Sequence, residues 1–142
     1  MASQDGEGAE RAKIRVATVT IFNNKNQNKM KDFLLVFRTD YNTMPKGSPE
    51  EMQASTKRWM DWIGGIAAQN KLTDRGNRLV PSGKVVRSDN VIADGPYTEI
   101  KESIVGYSIV KAASIEEATE LAKGCPILKI GGNVEVREIS VL

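Results

Sequence analysis

The sequence contains no histidine and a single cysteine, Cys125. Without histidine the chain lacks the commonest general base near neutral pH and the commonest metal ligand. One cysteine and no histidine exclude a zinc-type cluster and an internal disulfide. A lone cysteine fits a reducing compartment. No apolar run approaches the ~20 residues of a membrane span, and Met1 to Glu10 lacks the basic start and apolar centre of a secretory signal. A cytoplasmic protein with no membrane partner is expected. An excess of charge of one sign is also missing. Five of the 20 Lys/Arg and three of the 18 Asp/Glu fall in residues 1–29, so residues 30–142 are formally neutral and the net +2 belongs to the N-terminal segment. A neutral body lacks the footprint of a direct nucleic-acid binder. Nothing in the composition calls for a cofactor or a metal.

What is present suffices for one domain. A chain of 142 residues, 40% of them hydrophobic, buries roughly two-thirds of its unfolded surface without a covalent or metal staple. Residues 1–29 read as an N-terminal extension. Ile14–Phe22 alternates as a strand does, but Asn23 to Lys29 is a polar run with little to pack, and a well-patterned domain starts at Met30. The segment is either an addition upstream of a domain spanning 30–142 or an extra strand capping a sheet edge.

Phe33-Leu34-Leu35-Val36-Phe37 is a continuous apolar run, as in a strand covered on both faces. Ser48-Pro49-Glu50-Glu51 then carries a cap, a first-turn proline and a capping-box glutamate. The helix they open is predicted to reach about Asn70. Met52, Trp59, Ile63, Ile66 and Ala67 give it one apolar face, and Gly64-Gly65 suggests close approach to a sheet. Lys71 to Arg78 reads as a loop around Gly76. Lys84–Arg87 and Val91–Ala93 read as a hairpin across Ser88-Asp89-Asn90. Ile104–Lys111 is a longer strand. Ser114-Ile115-Glu116-Glu117 is a second capping box, opening a helix that stops at Gly124. Gly131-Gly132-Asn133 is a turn without phosphate-loop spacing, and Val134–Ile139 is a last strand. The order is β-α-β-β-α-β, an α+β pattern with both helices on one face of an antiparallel sheet. The other face needs a cover too, and a second copy of the sheet is the simplest one.

Three stretches in combination resemble the YCII-related family in its DGPF subgroup: Phe33 to Arg38, Ser48 to Met52 leading to Trp59-Met60-Asp61-Trp62-Ile63, and Asp94-Gly95-Pro96-Tyr97-Thr98-Glu99-Ile100-Lys101-Glu102. In the last, Tyr97, Thr98 and Ile100 depart from the Phe, Ala and Thr usual in the subgroup, while the framing residues match. The resemblance spans about residues 30–140. It implies a dimeric α/β barrel in which two ferredoxin-like sheets meet face to face. It also implies a sigma factor as partner, and so a link to transcription initiation, for some members. Other relatives resemble small enzymes with a His/Asp pair, which this chain, lacking histidine, cannot reproduce.

Each candidate site residue has two readings. Asp94, ending a strand before a Gly-Pro corner, either faces a ligand, as the best catalytic candidate, or caps the turn. Glu99 and Lys101 share a face if that segment is extended, as a ligand contact or as an ordinary surface pair. Tyr97 offers a hydroxyl or packs as a plug. Trp59 belongs to the apolar stripe; Trp62, displaced from it, lines a pocket or a dimer seam or joins the core. Arg38 and Arg87 end strands and either bind an anion or stay solvated. Cys125, with nothing to activate it, reads as structural. Two functions are carried forward. One is a homodimer that binds an unknown small molecule or regulates without turnover. The other is a cofactor-independent enzyme using Asp94 and Tyr97 in a cleft between helices and sheet.

Overall fold

A computed structural model of the chain describes residues 29–95 and 100–142. The expected strand at 14–22 and the site candidates Tyr97 and Glu99 lie outside them. Residues 31–142 form one unit, an α+β arrangement with two helices against an antiparallel sheet. Strand β1 (Lys31–Thr39) is followed by helix α1 (Pro49–Ala68), β2 (Leu72–Arg78), the hairpin strands β3 (Gly83–Val86) and β4 (Ile92–Gly95), β5 (Ser103–Ala112), helix α2 (Ile115–Ala122) and β6 (Asn133–Glu138). The four-stranded sheet has the order β2-β5-β1-β6, and every pairing in it is antiparallel. Among the described residues β3 and β4 pair only with each other, as a separate two-stranded sheet.

Burial along β1 alternates strictly. Phe33, Leu35, Phe37 and Thr39 are buried, and Leu34, Val36 and Arg38 are half-exposed. Successive strand residues point to opposite faces, so the odd positions meet the helices. There Phe33, Leu35 and Phe37 join Val105 and Val110 of β5, Ile66 of α1, Ala118 and Ala122 of α2, Cys125 and Ile127 in one core. The even positions face away. On that side Leu34 lies opposite Ile109 and Val36 opposite Tyr107, all four half-exposed. Charged groups edge this apolar strip. Arg38 is paired with Glu135 at 3.2 Å, and Glu135 also accepts from Arg137 at 3.2 Å. These two arginines hold the Glu135 carboxyl below its ordinary range.

Helix α1 starts with the capping box expected of it. Ser48 Oγ accepts from the Glu51 N–H and Glu51 Oε1 from the Ser48 N–H, at 3.2 and 3.1 Å. At α2 only half of the expected box forms. Ser114 Oγ accepts from the Glu117 N–H, but the Glu117 carboxylate reaches past Ser114 to the Ala113 N–H at 2.6 Å and to Lys71 Nζ at 2.9 Å. That N–H, and then Lys71, hold the Glu117 carboxyl below the usual glutamate range.

Two expectations fail here. Of residues 71–78, read as a loop, Leu72–Arg78 are strand β2, the edge strand beside β5. Of its seven residues only Leu72 is apolar, because an edge strand buries little of itself and leaves no alternation to read. The Gly64-Gly65 pair does not mark a close approach either. Both are exposed, and a Cβ at either would have no neighbour within 4 Å. Gly64→Ala and Gly65→Ala are therefore each expected to stabilise the protein by about 0.5–1 kcal/mol, through helix propensity alone. A rise of a few degrees in the calorimetric midpoint checks this; a fall would mean that this face is covered. Among the described residues no helix is long and apolar enough to cross a membrane.

Candidate functional site

The spacing of α1 puts Met52, Ser55, Trp59 and Ile63 along one side of the helix, over about 16 Å of its length. This side stands over the β5–β2 half of the sheet and leaves a cleft of 330 Å³ there. The sheet supplies Phe37, Val105 and Ser108. Met44 and Pro45 also line it, and β2 adds Arg75, Gly76, Asn77 and Arg78. Three of the five methionines in the chain, Met44, Met52 and Met60, line the cleft. Methionine side chains adapt to irregular apolar shapes. Among the described residues two arginines line it and no acid does.

The wall is held in place by an aromatic trio. The Phe37 ring meets Trp59 at 5.1 Å and Trp62 at 5.8 Å, and the two indoles are 5.9 Å apart, all edge to face. Trp62 does not line the cleft. Its indole N–H donates to the Leu121 carbonyl oxygen at 3.0 Å, which ties α1 to the end of α2. Trp59 is half-buried rather than fully in the core, with its ring on the cleft.

The β2 side is shaped by a local irregularity. The register of β2 on β5 shifts twice between Leu72 and Asn77. Gly76 there has φ +73°, in the left-handed region that glycine adopts without penalty. The Gly76 N–H donates to the Asp74 carboxylate at 2.8 Å, and Ser108 Oγ donates to the Arg75 carbonyl oxygen at 2.6 Å. Near this edge the Tyr41 hydroxyl donates to the Leu79 carbonyl oxygen at 2.7 Å. Burial raises its pKa, while Arg78 opposes the rise.

The residues singled out in the sequence do not converge on this cleft. Asp94 lies on β4, 88% exposed at its side chain, and pairs with Lys84 across the hairpin at 2.6 Å. Arg38 faces the side of the sheet away from the helices and holds Glu135 and the Glu102 carbonyl oxygen. Arg87 follows β3 and is exposed; its backbone N–H donates to the Val91 carbonyl oxygen. Lys101 is exposed within a 3-10 turn, Ile100–Glu102, so the extended geometry assumed for it and Glu99 does not hold at Lys101. Cys125 is buried in the core, its thiol pushed up to about 12 by desolvation, so it is a poor nucleophile near neutral pH. Arg75 and Arg78 were missed. They sit in the segment read as a loop, and only the need for a strand after α1 could have pointed to them. Among the described residues no group of three or more His, Cys, Asp or Glu could hold a metal.

Two comparisons with known proteins bear on this chain. Residues 33–142 match the YCII-related domain. The chain is also similar to an uncharacterised protein of Rhizobium meliloti (strain 1021), 28% identical over 86 residues that cover 53% of this chain and 69% of the relative.

Proposed function

The chain belongs to the YCII-related domain family, and on that premise we propose that it is a small-ligand-binding homodimer of the DGPF type, made of two ferredoxin-like protomers. The observation that carries ligand binding is the cleft between α1 and β2, with an apolar wall and two arginines. A concave, mostly apolar site with a few polar groups is the usual form of a small-molecule site. The ferredoxin-like reading is supported by the strand order β2-β5-β1-β6 with two helices on one face, the β3–β4 hairpin being an insertion. Dimerisation is supported by the other face, where Leu34, Val36, Tyr107 and Ile109 form an apolar strip that a second sheet would cover. A link to transcription through a sigma factor belongs to the same proposal and rests on the resemblance alone. The enzymatic alternative built on Asp94 has less support, since that carboxylate is paired with Lys84 and does not line the cleft.

Light scattering at micromolar concentration is expected to give twice the 15.6 kDa chain mass. Val36→Glu is expected to weaken self-association by roughly a hundredfold, because a twofold contact buries the new charge twice. A monomeric wild type would sink the dimer. Ligand binding is tested separately, by a thermal-shift screen in which no compound raising the midpoint counts against it.

A further inference from the structure

We infer that the cleft takes a small carboxylate with an apolar body, an aryl- or branched alkyl-carboxylic acid in its anionic form, with Arg75 and Arg78 meeting the charge; this rests on the ligand-binding reading above and narrows it. The sign of the ligand follows from the lining, which among the described residues holds two arginines and no acid. Neither guanidinium is paired with a carboxylate among the described residues, in contrast to Arg38 and Arg137, which share Glu135. The nearest acid in sequence, Asp74, accepts from the Gly76 N–H and does not line the cleft. Arginine presents a planar fork that matches a carboxylate's two oxygens.

The body of the ligand follows from the opposite wall. Trp59, Met52, Met60 and Ile63 offer apolar surface and no charge, so the site has a charged side and an apolar side. The volume, 330 Å³, is at the small end of the range of ~300–1,000 Å³ for ligand pockets. A phosphate fits less well. Such groups are usually held by backbone N–H groups at a helix N-terminus, and α1 contributes Met52 to Ile63 but not its capping residues. Ser55 and Thr56 on α1 leave hydroxyls beside the apolar wall for a second polar contact.

The test uses matched pairs that differ only in charge: phenylacetate, 3-phenylpropionate and 4-methylpentanoate against their primary amides. Calorimetry on the full chain reads affinity. Tryptophan fluorescence reads the site, since one of the two tryptophans lines the cleft. The acids are expected to bind about tenfold or more tightly than the amides, with a preference that shrinks as salt is added. In the Arg75→Gln/Arg78→Gln variant the preference of acid over amide is expected to disappear. Both arginines are exposed, so the variant is expected to melt close to wild type. If it does not fold, the salt dependence of the wild type decides. Acids and amides binding equally, or an acid preference that survives the double substitution or added salt, overturns the carboxylate inference and leaves ligand binding standing. No binding by any probe of either charge overturns both.

Discussion

Phe37→Ala is expected to cost about 4 kcal/mol and to lower the melting midpoint by roughly 15–25 °C. Phe37 is 4% exposed and its ring touches both tryptophans. Truncation removes a buried aromatic and two edge-to-face contacts, which carry about 0.5–1.5 kcal/mol each beyond burial. It also opens a void between β1 and α1, because Trp62 is held by its bond to Leu121 and cannot follow. That loss is a large part of the ~5–15 kcal/mol by which such domains are stable. Trp59→Ala should cost less, since Trp59 is half-buried and already borders open space. Calorimetry of both variants checks the ranking. A Phe37→Ala midpoint within a few degrees of wild type, or a larger loss for Trp59→Ala, would place the centre of the core elsewhere.

Gly76→Ala should destabilise by about 3 kcal/mol, although it adds only a methyl group. A left-handed φ costs an alanine about 1 kcal/mol or more. The larger part is steric. A Cβ at Gly76 would fall on the Tyr107 carbonyl oxygen, an atom of the neighbouring backbone that no rotamer change can move. Strand β2 must then lift from β5. Gly131→Ala is the control: its φ is also positive, at +84°, but a Cβ there meets nothing within 4 Å, so only the backbone term applies. Urea midpoints of the two variants separate the terms. Amide exchange over residues 72–78 should quicken in Gly76→Ala alone. Equal midpoints would mean that the β2 irregularity is soft.

These two positions also show what the sequence makes legible. Phe37 stands in an apolar run between a polar start and Arg38-Thr39-Asp40, and hydrophobic patterning finds such a strand without help. The α1 cap and its Met52-Trp59-Ile63 stripe were equally readable, because one local signal, Ser48 with Glu51, fixes where the helix begins. Gly76 lies in a strand in which Leu72 is followed by Thr73, Asp74, Arg75, Asn77 and Arg78, with no apolar period. Its membership of the sheet is decided by hydrogen bonds to β5, which side chains do not announce. The polar side of the cleft was missed with it, since Arg75, Asn77 and Arg78 come from that strand. Asp94 attracted notice for the opposite reason. The Asp-Gly-Pro corner is a strong local signal, but local signals cannot tell a turn on a solvated hairpin from a turn over a cavity.

The central place of β1 has a consequence for how the protein is made. On either side it pairs with β5 and β6, residues 103–112 and 133–138, and Arg38 meets Glu135 across 97 positions of sequence. During synthesis, this strand, with its unbroken apolar run from Phe33 to Phe37, is thus available long before either of its neighbours exists. It cannot begin its backbone pairing until more than sixty further residues have been added, at roughly 5–20 residues per second. For those seconds the run from Phe33 to Phe37 is a bare strand with both edges unsatisfied, the kind of segment that pairs with other chains. Lys31, Asp32, Arg38 and Asp40, two charges on each side of the run, are placed where gatekeeper residues work. Their value to the protein is then greatest before it has folded.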